Sequence, residues 1–488
     1  MLFNSLAFLA FFFVVTVFYY AVPEKFKWPV LLISSIVFYA FFTPLHIIIL
    51  LAVTAISYVI GRLVYNGKEK TKKPKGLIAL GVILCFSFLF TYKYLTFFTT
   101  AVYGLLHALH IPFTEAAFEL ALPVGISFFT FKAVSYMVDA YRGKIVEKNF
   151  FKYLLYVSFF PQIASGPIER STNFLPELTK AHKFDKNNIE SGLYLMMFGL
   201  FKKMVVADNL SVVVNQVFGE PENYSPPVLL GVACVYSVQI LCDFSGYSDI
   251  AVGCARVFGI NTADNFNHPY FAESIAVFWR KWHISLSSWF RDYLYIPLGG
   301  NRKGTARKYI NLMIVFLVSG LWHGSAWNFV LWGFLHGIYQ IVGAVTQPAR
   351  DKLYGLIHLD RHEKLHRSLR ITITFLLVTF AWIFFRASTI SDGFDYVKCM
   401  LFNPGRALSA AGIIAEFKLV FSVKNKLFAF LIAMFSFVVY SVIDYKKDVF
   451  LRIKDKHTAV KMVFYVLFIV FVVMFASTSV ADFIYLRF

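Results

Sequence analysis

Residues 317–337 read LVSGLWHGSAWNFVLWGFLHG. His323 stands in the middle of a run that is otherwise apolar, aromatic or small, with Gly324 and Ser325 directly after it. An imidazole in such a run is either a satisfied core residue or the group that does the chemistry, and on the residue alone the core reading is the simpler one. The flanks change that balance. NRKGTARK (301–308) precedes the stretch, and a segment rich in Lys, Arg and His (346–370) follows it. Basic loops stay on the cytoplasmic side of a membrane, so the chain enters and leaves on one face and 309–345 is a hairpin. From Tyr309 to Trp322 is about 21 Å of helix, against an apolar bilayer core of about 30 Å. The turn at Trp322–Ser325 is therefore expected inside the membrane, with His323 at a helix break. Gly320/Gly324 and Gly333/Gly337 have the G-x-x-x-G spacing that lets membrane helices approach closely. His336, on the second arm, reads as a structural hydrogen-bonding residue.

Composition agrees with a membrane setting. Of 488 residues, 58% are hydrophobic and 19% aromatic, while only 15% are charged; a soluble domain carries about 25% charged residues. The net charge of +19 lies in loops between apolar spans, and no aromatic-interleaved basic domain exists to bind nucleic acid. The five cysteines (85, 234, 242, 254 and 399) form no C-x-x-C pair and no disulfide framework. The fold class expected is all-α and polytopic, with about eleven transmembrane or re-entrant helices.

Apolar length places the first spans at about 2–22, 28–44, 46–65 and 77–98. The stretch 2–22 lacks the basic lead and cleavage site of a signal peptide and is kept as a helix. NGKEKTKKPKG, with Lys68, Lys70, Lys72, Lys73 and Lys75, marks the cytoplasmic side and puts the N-terminus outside. The apolar segment 118–143 contains Lys132 and Asp139. The segment 150–170 is interrupted by Pro161, Gly166 and Pro167 and reads as broken or re-entrant, or else as a kinked packing helix. Residues 172–188 read as a loop. Spans follow at about 190–206 and 226–259; Asp243 and Asp249 in the second must be paired or face water. Later spans are expected at 371–387, 426–443 and 460–477, leaving the C-terminus outside. Residues 388–424 show nothing diagnostic.

One further segment bears on His323. VFWRKWHISLSSWFRDYLYIPL (277–298) reads as one amphipathic interfacial helix, with Trp279, His283, Leu286, Phe290 and Tyr293 on one face and Lys281, Ser285, Ser288 and Asp292 opposite. His283 then points inward, toward a cavity that His323 could share. His268, His283, His323 and His336 lack the H-E-x-x-H pattern or other zinc spacing, so no metal is expected. There is no G-x-S-x-G elbow, P-loop or dinucleotide fingerprint.

Five motifs together resemble the membrane-bound O-acyltransferase family, in its bacterial polysaccharide branch, typified by the membrane subunit that O-acetylates alginate. They are LPVGISFFTFKAVSYMVDAYRG (122–143), FPQIASGPIER (160–170), QILCDFSGYSDIAVG (239–253), FNHPYFAESIAVFWRKWHISLSSWFRDYLYIPLGGNRKG (266–304) and the opening stretch. The resemblance implies one membrane-embedded domain over 1–488: N-terminal helices 1–117, a catalytic core 118–345 with the 277–298 helix and the 309–345 hairpin, and C-terminal helices 346–488. It implies helices around a central funnel or tunnel, His323 in the catalytic position and His283 in the second polar position. Trp322, Ser325, Trp282, Arg291, Asp292, Tyr293, Asn301 and Arg302 are the substrate-binding candidates. No permanently bound cofactor is implied; acetyl-CoA is the expected acyl donor, a polysaccharide such as alginate the acceptor, and an extracytoplasmic SGNH-hydrolase-like acetyltransferase the partner, at the bacterial inner membrane. A D-alanyl transferase for teichoic acid is the nearest alternative, and a transporter or flippase of an acyl donor or glycan is the alternative of another class.

Overall fold

The computed structural model describes residues 1–42, 44–67, 75–111, 120–403, 410–421, 424–446, 449–477 and 483–484. Among them every regular element is helical. Seven helices are long and apolar enough to cross a membrane: Pro44–Asn66, Lys75–Ala108, Pro226–Val257, Trp327–Val345, Glu363–Arg386, Lys426–Tyr445 and Thr458–Phe475. The other expected membrane elements are shorter or more polar helices. The protein is thus a multi-pass membrane protein. The orientation-marking lysines Lys68–Lys73 lie outside the described residues, as does most of the C-terminal DFIYLRF. The chain forms two compact units, one of Met1–Met196 with Ile250–Ala263 and one of Met197–Asp249 with Asp264–Ile484.

The first unit contains α1 (Leu6–Ala21), α2 (Lys27–Ala40), α3 (Ile47–Gly67), α4 (Lys75–Leu89), α5 (Leu95–Ala108), α6 (Ile126–Tyr141), α7 (Phe150–Ser158) and α8 (Ser171–Thr179). A single π turn, Phe90–Tyr94, makes α4 and α5 one continuous rod. Asn149 starts α7 by accepting from the N–H groups of Phe151 and Lys152. The helix stops after nine residues, and residues 159–169 run on as buried irregular backbone. Backbone of this kind is stable at membrane depth only inside protein, and here protein packs directly on it. A Cβ on Gly125, at φ +72, would lie 1.9 Å from the Ile163 carbonyl oxygen. The ionisable residues of α6 are also paired: Lys132 Nζ donates to Gln162 Oε1 (3.1 Å), and Asp139 meets Lys144 at 3.2 Å. The expected loop 172–188 is in part the helix α8. Its inward face has Phe174, Leu175 and Leu178 beside Ser171, too few apolar positions to stand out from the polar residues around them.

The second unit opens in α9 (Lys186–Leu200), which passes through a π segment into α10 (Asp208–Gly219). Then come α11 (Pro226–Val257), α12 (Ile275–Lys281), α13 (Ile284–Phe290), α14 (Gly304–His323), α15 (Trp327–Val345), α16 (Gln347–Leu356), α17 (Glu363–Arg386), α18 (Ile390–Phe402), α19 (Ala410–Val420), α20 (Lys424–Lys446), α21 (Val449–Ile453) and α22 (Thr458–Phe475). The aspartates of α11 are paired, as their cost in a membrane requires. Lys203 bridges Asp243 (2.7 Å) and Asp208 (2.9 Å), and Lys202 holds Asp249 (2.7 Å). Near the chain's end the Ile484 N–H donates to Asp243 Oδ2 (2.7 Å) and the Phe483 ring covers Lys203. Among its described residues the region 388–424 holds the helices α18 and α19. The first begins in a capping box, Thr389 with Asp392, a signal the sequence carried. Few side chains of α20 and α22 are buried, and nearly all the exposed ones are apolar, as lipid-facing helices require.

Candidate active site

The expected single helix 277–298 is three pieces. α12 ends at Lys281, His283 adopts the left-handed conformation (φ +44, ψ +55), α13 restarts at Ile284, and a π turn covers Arg291–Tyr295. A positive φ at a side chain larger than glycine costs about 1–2 kcal/mol, so something must hold it. Asn265 does. Its carbonyl oxygen accepts from the Ile284 N–H (2.9 Å). Its side-chain Oδ1 accepts from the Ser285 N–H (3.2 Å) and hydroxyl (2.9 Å) and lies 3.1 Å from His283 Nδ1. Its Nδ2 donates to Ser248 Oγ on α11 (3.2 Å). Because the backbone N–H of Ser285 identifies Oδ1 as the acceptor, His283 donates from Nδ1, and its Nε2 carries the lone pair. Burial pushes the His283 pKa down to about 3, so this imidazole is neutral at physiological pH.

The turn of the hairpin falls at the residues expected. α14 ends at His323, three residues turn, and α15 begins at Trp327. The first arm begins at Gly304, five residues before Tyr309, and is 20 residues long, about 30 Å. The two arms meet through glycines. A Cβ on Gly320 would lie 2.3 Å from the Phe329 carbonyl oxygen, and one on Gly333 would lie 2.3 Å from that of Phe316. Only hydrogen fits at either position.

His323 is 1% exposed and His283 fully buried. The Trp322 ring lies against both, 4.9 Å from His323 and 6.0 Å from His283 between ring centroids. Trp332 (4.9 Å) and Phe385 (5.5 Å) complete the wall around His323, and the edge contact of Phe244 (4.7 Å) that around His283. Trp282 sits one layer away, among Phe266, Phe278 and Trp382. His336 is a structural acceptor in the way expected: its Nδ1 takes the Trp279 indole N–H at 3.2 Å.

A cavity of about 370 Å³ opens beside α14, bordered by Trp279, Arg280, Ser287, Arg291, Phe316 and Ser319 among others, and neither His283 nor His323 borders it. Ser319 is one helical turn before His323 on α14, about 6 Å along the axis. Arg280 and Arg291 are exposed, whereas Trp279, Phe316 and Ser319 are buried. The cavity therefore has cationic groups at its exposed part and an apolar interior. A second cavity of about 320 Å³ is bordered by Phe266 and Tyr270 and by the pairs Lys202–Asp249 and His268–Asp444.

Of the residues singled out in the sequence, the structure brings His283, Trp322 and His323 together, with Trp282 behind them. Ser325 lies partly exposed in the hairpin turn. Arg291 borders the first cavity and is paired with its neighbour Asp292 at 2.9 Å. Tyr293 packs on Trp289. Asn301 meets the Tyr295 hydroxyl, and Arg302 is exposed. Among the described residues no three His, Cys, Asp or Glu side chains converge as a metal site.

The model of the membrane-bound O-acyltransferase family matches residues 32–390, and this range includes both histidines, Asn265 and the hairpin. The chain belongs to that family. It is an acyltransferase by membership, and its relatives differ in the group moved and the acceptor. "Probable alginate O-acetylase" of Azotobacter vinelandii is 35% identical over 375 residues, 76% of this chain and 72% of that protein. The peptidoglycan O-acetyltransferase of Helicobacter pylori is 34% identical over 76% of this chain and 73% of its own length. A teichoic acid D-alanyltransferase of Bacillus subtilis is 30% identical over 54% of this chain and 68% of its own length.

Sequence reasoning missed Asn265, Phe244, Trp332, Trp382 and Phe385. Phe244 lies inside a quoted motif, and Asn265 directly precedes another. Trp382 and Phe385 lie near the end of a plain apolar span, where aromatic residues carry no site signal.

Proposed function

We propose that this protein is a membrane-bound O-acetyltransferase. It passes acetyl from a cytoplasmic thioester, acetyl-CoA, toward an extracytoplasmic polysaccharide such as alginate. An SGNH-hydrolase-like transferase outside the membrane completes the transfer. The protein sits in the bacterial inner membrane with both termini outside. The observation that carries the donor assignment is the first cavity. Its exposed arginines suit the phosphates of an anionic donor, and its apolar interior, reaching Ser319 one turn from His323, suits a short acyl thioester. Arg302, on the adjoining basic turn, adds to the attraction.

In this reading His323 is the general base. It takes the proton of the first receiving hydroxyl, from which the partner passes the acetyl on, as that oxygen attacks the thioester carbonyl carbon. The tetrahedral intermediate collapses with cleavage of the carbon–sulfur bond, and the departing thiolate receives the proton from His323. An ester and a free thiol result, with no acyl-enzyme, so Ser325 has no nucleophilic part. His283 is neutral, with its lone pair on Nε2, and so acts as a hydrogen-bond acceptor that orients a hydroxyl or the His323 ring. A neutral ring in this tautomer does not supply an oxyanion donor from Nε2. The acetyl assignment over D-alanyl rests on the broader match to the acetylating relatives, 76% of the chain against 54%.

The test is purified protein with labelled acetyl-CoA, with and without an acceptor polysaccharide and an SGNH-type partner. Acceptor-dependent release of free CoA supports the reading. Movement of intact donor without thioester cleavage would make the protein a transporter, and use of a carrier-protein D-alanyl thioester alone would move it to the teichoic acid branch. Arg280→Gln with Arg291→Gln is expected to raise the donor KM about tenfold, by an amount that shrinks at high salt.

A further inference from the structure

We propose that Trp279 sets the length of acyl group this enzyme accepts, and that His336 is the residue that holds it in place. The proposal rests on the donor reading above and adds the selectivity of that site. Trp279 is in an unusual position among the residues bordering the first cavity. Its ring packs on Phe316 at 5.4 Å, another cavity residue, and on Trp332 at 5.7 Å. Trp332 in turn lies 4.9 Å from His323. Trp332 therefore stands between the cavity wall and the catalytic-position histidine, in edge contact with both. A thioester seated in this cavity with its phosphates at Arg280 and Arg291 has its acyl carbons beside Trp279 and Phe316. The indole limits how many fit.

A ruler must be rigid, and Trp279 is fixed from behind. An indole N–H can only donate, so the 3.2 Å contact requires a lone pair on His336 Nδ1. The neutral His336 ring therefore carries its hydrogen on Nε2. His336 is itself held by Phe316 (6.2 Å), Phe278 (6.3 Å) and Trp332 (5.0 Å), and it is fully buried. It comes from α15, whereas Trp279 comes from α12. The hairpin that bears His323 thus also bears the acceptor that orients the cavity wall. His336 is a positioning residue that acts through Trp279.

The expected selectivity follows from volume. One methylene that a rigid apolar pocket rejects is worth roughly 10–200-fold in kcat/KM. The experiment measures kcat/KM for acetyl-, butyryl- and hexanoyl-CoA by free thiol release, using full-length protein in membranes with its acceptor. The wild type is expected to favour acetyl over hexanoyl by about 100-fold or more. Trp279→Leu is expected to reduce that preference at least tenfold by gaining activity on the longer donors. Trp279→Phe keeps a ring and removes the N–H, and is expected to shift the preference in the same direction by less. His336→Phe is expected to match Trp279→Phe, whereas His336→Asn, which retains an acceptor near the Nδ1 position, is expected to restore the wild-type preference. These preferences are ratios within one protein sample, so a loss of folded protein does not imitate them. A wild type that uses acetyl-CoA and hexanoyl-CoA equally overturns the ruler and leaves the donor reading intact. So does a Trp279→Leu protein that keeps the wild-type ratio, and a variant with no activity on any donor counts against the ruler as well. A wild type that cleaves no acyl-CoA overturns the donor reading itself.

Discussion

The chain contains two Trp-His pairs, at 282–283 and 322–323, and both stand at helix breaks. The breaks are made in different ways. At His283 a side-chain network makes the break: Asn265 captures the backbone on the far side of the histidine, and the ring itself is tied to the same oxygen. At His323 close packing makes it: two helix arms with glycine against backbone carbonyl leave the ring among Trp322, Trp332 and Phe385. The first histidine is fixed in tautomer and kept neutral. The second is fixed in place by rings that do not titrate. That division suits an orienting acceptor and a proton-transferring base, and it predicts that the two breaks fail in different ways.

The largest effect is expected at the packed break. Gly320→Ala puts a methyl group 2.3 Å from a main-chain oxygen, and neither helix arm can give way without moving His323. Overpacking of ordinary side chains costs about 1–3 kcal/mol, and a clash with backbone costs more. Gel filtration in detergent is expected to show little monodisperse protein. Gly343→Ala on the other arm, α15, where a Cβ meets nothing within 4 Å, is expected to behave as the wild type. A well-folded Gly320→Ala protein would show that close packing does not make this break.

A smaller effect, of a different kind, is expected at the polar break. Asn265→Leu leaves three donors of His283 and Ser285 without their acceptor, at about 1 kcal/mol or more each. The Tm is expected to fall by several degrees. The same site gives a pH signature. The folded pKa of His283 is about 3, below the ordinary value of about 6.5, so the unfolded chain takes up the proton first. The stability this group contributes is complete above about pH 6.5 and declines as pH falls toward 3. At about pH 5 the loss is about 2 kcal/mol. Thermal melting across this range is expected to be steeper for the wild type than for His283→Asn. Parallel curves would mean that His283 is not held neutral.

The packed break was legible in the sequence and the polar one only in part. Same-side basic flanks, the length of the apolar run and paired G-x-x-x-G spacings all pointed to a hairpin turning at Trp322–Ser325, and α14 and α15 turn there. The segment FWRKWHISLSSWF has unbroken helical periodicity and no Gly or Pro, so its local pattern asked for one helix. The break comes from Asn265, 18 residues upstream, through a tertiary contact that periodicity cannot register. The inward burial of His283 survived the wrong helix because the residue is buried on either side of the break. The aspartates of α11 need partners on their charge alone, but Lys202 and Lys203 become those partners only when α11 packs beside the α9–α10 rod. Trp382 and Phe385 reach the site because α17 packs on the hairpin arm α15, and nothing in an apolar span announces which of its faces does so.

His323 is the proposed proton-transferring member of the pair. The direct measurement is acceptor-dependent thioester cleavage by the wild type, His323→Gln and His283→Gln, at equal amounts of folded protein in the same membranes. General-base removal is expected to cost about 10²–10⁴-fold, so His323→Gln should fall by that factor, and His283→Gln by less. Wild-type activity in His323→Gln, or a larger loss in His283→Gln, would contradict that assignment.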